Sequence, residues 1–275
     1  VPLADTRSID SAAWGVTLEP AYGVGGMTFF DFAEVPAFRR WRSVFSAVGL
    51  PLYYPIAGVS EVGTSLIVSR APYGSVSQSC IRGGIDSPCR RCWKCFRKSL
   101  IESSLTARWP LPSELDEMFS TAEVRKHLLR RPLKLECDLA YALRSYDGPH
   151  RLLLELRDKV RSDMVDVNWL ERWYRPSIEL VPEEYRQCTT EKLNLYLDSM
   201  NELDAAALMS WDLSTVVASA EYAKRDNRFA RTLEGEHSAG CFEITGEDES
   251  VAAESAQPDV ATLNAVDGVQ RSIIA

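Results

Sequence analysis

Apolar residues recur at helical spacing through much of the chain and in short continuous runs elsewhere. Amphipathic helices are predicted around Ser8–Leu18 and Pro36–Val48. The runs Leu50–Ile56 and Ser65–Val68 have the length of strands or buried loops. Beyond residue 110 the helical period dominates. It predicts helices over Ser113–His127, opened by Ser113 with Asp116 three residues on, and over Leu135–Tyr146, Arg151–Asp163, Thr189–Leu208 and Leu213–Arg225. Two prolines interrupt the pattern at Trp173–Tyr185, because proline lacks an amide hydrogen and restricts the residue before it. From about Leu233 the chain is polar, acidic and small, with too few large apolar groups to offset ordering entropy, so 233–275 is read as a disordered acidic tail with one short helix around Val266–Ile274. The pattern gives three segments: an α/β or mixed segment 1–108, a helical domain 109–232, and the tail. The chain is mostly helical overall.

Charge sharpens this division. The 275 residues carry 31 Lys+Arg against 39 Asp+Glu. From Glu234 onward nine acids stand against one base, so that segment holds all eight of the net negative charges and the body is neutral. A low overall isoelectric point therefore does not argue against an anionic ligand. No run approaches the ~18 apolar residues of a membrane span, and the first residues lack the charged-then-apolar order of a signal peptide. A cytoplasmic protein with no membrane partner is expected.

Four of the seven cysteines lie close together in the order C-x8-C-x2-C-x2-C: Cys80, Cys89, Cys92 and Cys95. Two-residue spacers let neighbouring thiolates turn toward one ion, and Gly83, Gly84 and Pro88 bring the fourth back across a loop. Structural zinc is the leading reading. An iron–sulfur cluster also takes four thiolates but lacks its usual Cys-Pro after the triplet, and unmetallated buried thiols are the third alternative. With all four positions Cys, no coordination site stays open for water. Seven bases (Arg82, Arg90, Arg91, Lys94, Arg97, Lys98, Arg108) and two acids (Asp86, Glu102) fall between Cys80 and Arg108. Counter-charge for the thiolates is weighed there against nucleic-acid binding with Trp93 and Phe96 stacking on bases, the latter being less favoured.

The string PIAGVSEVGTSLIVSRAPYGSVSQSC, followed by the knuckle and Arg97-Lys98, resembles the C-terminal part of 7-cyano-7-deazaguanine synthase and its relatives in the PP-loop ATP pyrophosphatase superfamily. The resemblance covers roughly residues 50–100. It implies a partial PP-loop nucleotide-binding α/β fold, Zn2+ held by Cys80, Cys89, Cys92 and Cys95, ATP as cosubstrate, and adenylation of a carboxylate-type substrate before attack by ammonia or another nucleophile. It also implies that Arg97 or Lys98 contacts a phosphate of ATP. The family's Ser-Gly-Gly-x-Asp-Ser phosphate loop is missing. The nearest strings are Thr6-Arg7-Ser8-Ile9-Asp10-Ser11 and the glycine turn Tyr22–Gly26, and Glu61 follows Ser60 where the family has lysine. Only 79 residues precede Cys80, so the expectation is half of a catalytic unit, with the phosphate loop supplied upstream or by a partner chain.

Further candidates are few. Asp5, Asp10, Ser11 and Glu19 are candidate acid–base or nucleotide-contacting groups, against a plain capping role for Asp5, Ser8 or Asp10. Ser60 and Glu61, in the small-residue segment GVSEVGTS, face either a cleft or the start of a short helix. Arg82, Arg97 and Lys98 complete the tentative substrate or nucleotide set. His127, His150 and His237 are given surface or capping roles, Cys137 and Cys188 inert ones, and Trp169, Trp173, Tyr174 and Trp211 the helical core or its edge. Arg172, Arg175 and Arg186 are candidates for binding an anionic substrate, against the favoured reading of surface pairing with Glu179, Glu183 or Glu184. The function expected is that of a synthase-like enzyme acting on a small molecule, with a homo-oligomer open. The alternative is a non-catalytic zinc scaffold that contacts protein or nucleic acid through its basic knuckle.

Overall fold

The computed structural model describes residues 9–84 and 87–240, with side chains as far as residue 235. Helix dominates the described residues. Two two-residue strands, β1 (Ala12–Ala13) and β2 (Leu52–Tyr53), pair in parallel, Ala12 opposite Leu52 and Ala13 opposite Tyr53. Between them run α1 (Leu18–Ala21) and α2 (Pro36–Ala47), the latter opened by Pro36 in the first turn. Pro36 suits that position, where its missing amide hydrogen has no helical partner. This is a small β–α–β unit.

α3 (Glu61–Arg70) follows. Ser60 caps it by accepting the Gly63 N–H at 2.8 Å. Thus Ser65–Val68, read from the sequence as strand or loop, is helix: the cap at Ser60 nucleates a turn that continues through the apolar run. Ser8–Leu18 is corrected likewise. Its described part holds β1 and only the first residue of α1, because Ala12 and Ala13 are taken up by pairing with β2.

The knuckle leads into α4 (Trp93–Thr106), which packs against α7 (Glu136–Leu143), a helix with every residue buried. α5 (Pro112–Ser120) and α6 (Ala122–Leu128) divide the predicted helix Ser113–His127. Its cap is not Ser113: Pro112 opens the helix, and the Glu114 carboxylate accepts the Leu111 N–H at 2.9 Å. α8 (Arg151–Lys159) packs on the long terminal helix α12 (Ala220–Gly240), with α9 (Glu183–Asn194), α10 (Glu202–Met209) and α11 (Ser214–Val217) between them.

The predicted helix Thr189–Leu208 breaks before Asn201, which caps α10 reciprocally with Asp204. The prediction Leu213–Arg225 separates into α11 and α12. α12 also carries helix to Gly240, past the Leu233 boundary drawn from composition, since Phe229 and Leu233 are fully buried and anchor it. Residues 241–275, including Val266–Ile274, lie outside the described residues.

One continuous apolar core draws on Leu18, Phe38 and Val62 as well as Leu100, Leu139, Leu153 and Phe229, so it spans both segments 1–108 and 109–232. Trp169, Trp173, Tyr174 and Trp211 are buried, as expected. No helix among the described residues is long and apolar enough to cross a membrane.

Candidate metal centre

Cys80 ends the stretch after α3, Cys89 lies on the returning loop, Cys92 is the N-cap residue of α4, and Cys95 sits in its first turn. The loop closes tightly. A β-carbon on Gly83 would lie 2.0 Å from the Ser87 carbonyl oxygen and 2.9 Å from the Cys89 nitrogen, so only glycine fits there. Arg90 takes a left-handed backbone (φ 55°) to turn the chain between Cys89 and Cys92.

The four sulfurs lie within 4.8 Å of one another, and Cys89 Sγ is 3.8 Å from Cys95 Sγ. A tetrahedral ion with sulfur at ~2.3 Å requires sulfur–sulfur edges of about 3.8 Å. A multi-iron cluster would insert an iron–iron separation and spread the sulfurs further, so the spacing suits one ion. Among the described residues this is the one group of His, Cys, Asp or Glu side chains gathered at ligand distance.

Backbone donors are already aimed at the sulfurs. The N–H of Cys89 donates to Cys80 Sγ and that of Cys95 to Cys92 Sγ, each at 3.4 Å. The Cys89 donor brings the Cys80 thiol down to about 6. Burial pushes the Cys92 and Cys95 thiols up, so a cation is what would let the whole set ionise. Glu123 on α6 braces the knuckle: it accepts the Trp93 N–H at 3.2 Å and pairs with Arg82.

The first turns of α4 lead from the sulfurs into a buried ionic network. Arg97 donates to Asp138 of α7 at 2.8 Å and to Glu61 of α3 at 3.1 Å. Lys98 donates to the Glu61 carbonyl (3.2 Å) and to the Ser65 hydroxyl (3.1 Å). Glu19, fully buried, accepts the Glu61 N–H at 2.5 Å. Burial and the neighbouring Glu61 charge raise the Glu19 carboxyl, and burial with the Glu19 charge raises Asp138 well above the carboxylate range. Burial works the same way on Glu61, but Arg97 and Lys98 outweigh it and hold Glu61 low.

Next to this network, an open groove of about 1160 Å³ runs between α3, α4 and the knuckle. Hydroxyls from Thr64, Ser65 and Ser99 line it together with Lys98, Arg108 and Cys95. It has room for a small polar molecule.

Of the tentative binding residues, the structure brings together Ser60, Glu61, Arg97 and Lys98. Ser60, Glu61 and Arg97 serve the packing of α3 on α4 and α7, and Lys98 reaches the groove. Arg82 is set apart, paired with Glu123. Asp10 is exposed and Ser11 half-buried, neither with a side-chain bond among the described residues. Asp5 lies outside them.

Trp93 and Phe96 are corrected from base-stacking candidates to core. Both are buried, stacked on each other at 5.6 Å, with His127 on the other face of Trp93 at 5.0 Å. Burial brings His127 down to about 4. His150 caps α8 through Leu153 N–H and pairs with Asp116. Cys137 is buried and Cys188 exposed. Arg172 pairs with Asp204, and Arg186 binds the backbone carbonyls of Val181 and Glu179, so the expected partners Glu183 and Glu184 are not used. Asp138 and Glu123 were not singled out from the sequence. The signal for Asp138 was an acid inside the apolar string LECDLAYAL.

Residues 40–212 match the model of a family described as a family of unknown function, DUF6395. That span holds the knuckle, the groove and the Glu61–Arg97–Asp138 network. No curated protein and no solved structure matches the chain.

Proposed function

The chain belongs to the DUF6395 family, and we propose that it is the zinc-bearing part of an ATP-dependent synthase similar to 7-cyano-7-deazaguanine synthase. The observation that carries the zinc assignment is the set of four sulfurs within 4.8 Å, two of them at the tetrahedral edge length. A closed tetrathiolate site is structural: it ties the loop before Cys89 to the start of α4 and so fixes Arg97 and Lys98. The synthase reading rests on the resemblance of residues 50–100, in which Ser79-Cys80 leads into the knuckle and Arg97-Lys98 follows it. The small β1–α2–β2 unit agrees with the edge of a larger parallel sheet.

In this reading the groove takes the carboxylate-type substrate, with Lys98 and the hydroxyls of Thr64 and Ser65 holding its polar end. A carboxylate oxygen attacks the α-phosphorus of ATP and pyrophosphate leaves. Ammonia or an amine then attacks the acyl carbon and AMP leaves. The phosphate loop comes from another polypeptide segment.

One observation favours a second reading. Glu61 stands where the resembled family has lysine and pairs with Arg97, 3.1 Å away, which withdraws that cation from a phosphate. The second reading is a zinc scaffold without catalysis, contacting a partner through the knuckle.

Metal analysis of the purified chain is expected to give one zinc per chain, lost together with soluble folding in Cys92→Ser. Iron, or no metal, overturns the zinc assignment. Pyrophosphate release from ATP, tested with the chain joined to a polypeptide carrying Ser-Gly-Gly-x-Asp-Ser, separates the two readings. Release supports the synthase; a zinc-loaded chain that never releases pyrophosphate leaves the scaffold.

A further inference from the structure

The apolar face of α2 is wider than the surface it covers. Phe38, Trp41, Val44, Phe45 and Val48 fall on an arc of about 120° at 100° per residue. One side of that arc meets the core: Phe38 is buried against Phe32 and Tyr54, and Phe45 is half-buried. The other side is bare. Trp41 is 39% exposed, Val44 46% and Val48 48%. Trp14, 55% exposed, stands apart from this stripe and stacks at 6.1 Å on the buried Tyr54 ring. An indole ring and two valines left to water on one helix face mark a surface that something covers.

The rim of the patch is basic. Arg40 and Arg42 flank the stripe, one on each side, and neither has an ion pair among the described residues; Arg42 lies 5.9 Å from the centre of the Phe38 ring. A second copy laid on this face would bring four such arginines together. An acidic occupant with a few apolar side chains would complement both rim and stripe.

The chain carries such a segment. Residues 241–275 hold seven acids against one base, and Phe242, Ile244, Val251 and Leu263 are interspersed among them. Thirty-five residues reach up to about 115 Å at ~3.3 Å each, whereas a body of this size has a radius of gyration of about 17 Å. Tethering also keeps the local concentration of the segment high.

We propose that the bare stripe Trp41–Val44–Val48 is a docking surface for the chain's own acidic segment 241–275. The segment sets its carboxylates against Arg40 and Arg42 and its apolar side chains against Trp41 and the two valines. The inference stands on α2 and the tail alone, apart from the synthase reading.

The test is photo-crosslinking in the zinc-loaded full chain with p-benzoylphenylalanine in place of Val44, an exposed position. Links within one chain, mapped to residues 241–275, are expected. The double substitution Arg40→Glu with Arg42→Glu is expected to lower their yield about fivefold, with the far-UV circular dichroism unchanged. Links to a second chain would assign the face to a homodimer and overturn the proposal. Absence of any link, or a yield indifferent to the double substitution, overturns it as well.

Discussion

Arg97 Nη1 lies 2.8 Å from Asp138 Oδ2 with both side chains withdrawn from water, Asp138 completely. Arg97 stands two residues beyond the last cysteine of the knuckle, and Asp138 is in the first turn of the all-buried helix α7. This pair links the helix that follows the cysteines to the core helix α7.

Removing Asp138 therefore leaves the buried Arg97 cation short of an acceptor. Asp138→Ala is expected to cost about 3–5 kcal/mol of stability, read as a lower urea midpoint in the zinc-loaded protein. Glu61 keeps Arg97 partly satisfied, so Asp138→Asn, which retains a hydrogen-bond acceptor, is expected to cost less. Equal costs for Ala and Asn would show that the carboxylate itself, rather than packing or a neutral acceptor, is what Arg97 requires.

The same network gives a pH dependence with a definite sign. Glu19 and Asp138 both have raised carboxyl pKa values in the folded chain, from burial first and then from neighbouring acids. Their protonated forms are favoured by folding, so that contribution is complete below the unfolded carboxylate range and is lost as pH rises through the folded values. Glu61 has the opposite sign: its contribution is present above the usual carboxylate pKa and disappears in more acidic solution. Glu19→Gln removes one of the crowded acids. Its stability relative to the parent chain is expected to increase from pH 4.5 upward, measured by urea unfolding across pH. A pH-independent difference would sink the idea.

What the sequence disclosed and what it hid follow the range of the interactions. The knuckle was legible because three of its ligands are separated by two residues and the turn between them is local. The helices α2, α7 and α8 were legible because their apolar faces repeat at 3.6 residues. Ser65–Val68 misled because a four-residue run reads alike in a strand and a buried helix, and the deciding feature, the Ser60 cap, precedes it. The role of Glu61 was hidden for another reason. Its partners Arg97 and Glu19 lie 36 and 42 residues away, so nothing short of tertiary packing turns a candidate catalytic acid into the counter-ion of an arginine.

Glu123 offers a test of the shell around the metal. It accepts the Trp93 N–H at the start of α4 and pairs with Arg82 on the cysteine loop, thereby holding the two halves of the knuckle together. Groups of this kind typically contribute about 10–100-fold to metal affinity. Glu123→Ala is expected to release zinc to a chelator at correspondingly lower chelator concentration. Glu114→Gln, which keeps an acceptor for the Leu111 N–H and removes only the 3.7 Å ion pair to the exposed Arg90, is the control and should release it as the parent does. Matching release from both variants would exclude a bracing role for Glu123.

Lys159 provides the last prediction, at the far side of the core. Its ammonium has no solvent contact, donates to the Leu128 carbonyl at 2.6 Å, pairs with Asp226 of α12 at 2.5 Å and lies 5.0 Å from the Phe229 ring centre. Burial pulls its pKa down, and Asp226 works against that. Asp226 also pairs with Arg131, so the two partners are unequal: the lysine depends on the aspartate more than the aspartate depends on the lysine. Asp226→Ala is expected to cost about 3–5 kcal/mol, because it strands a buried ammonium. Lys159→Met should cost clearly less, since it replaces the stem with a similar apolar volume and leaves Asp226 on Arg131. The comparison is made by urea unfolding of the two variants at neutral pH. A greater loss from Lys159→Met would mean that the lysine's own bond to Leu128, between α8 and α6, contributes more than its ion pair to α12.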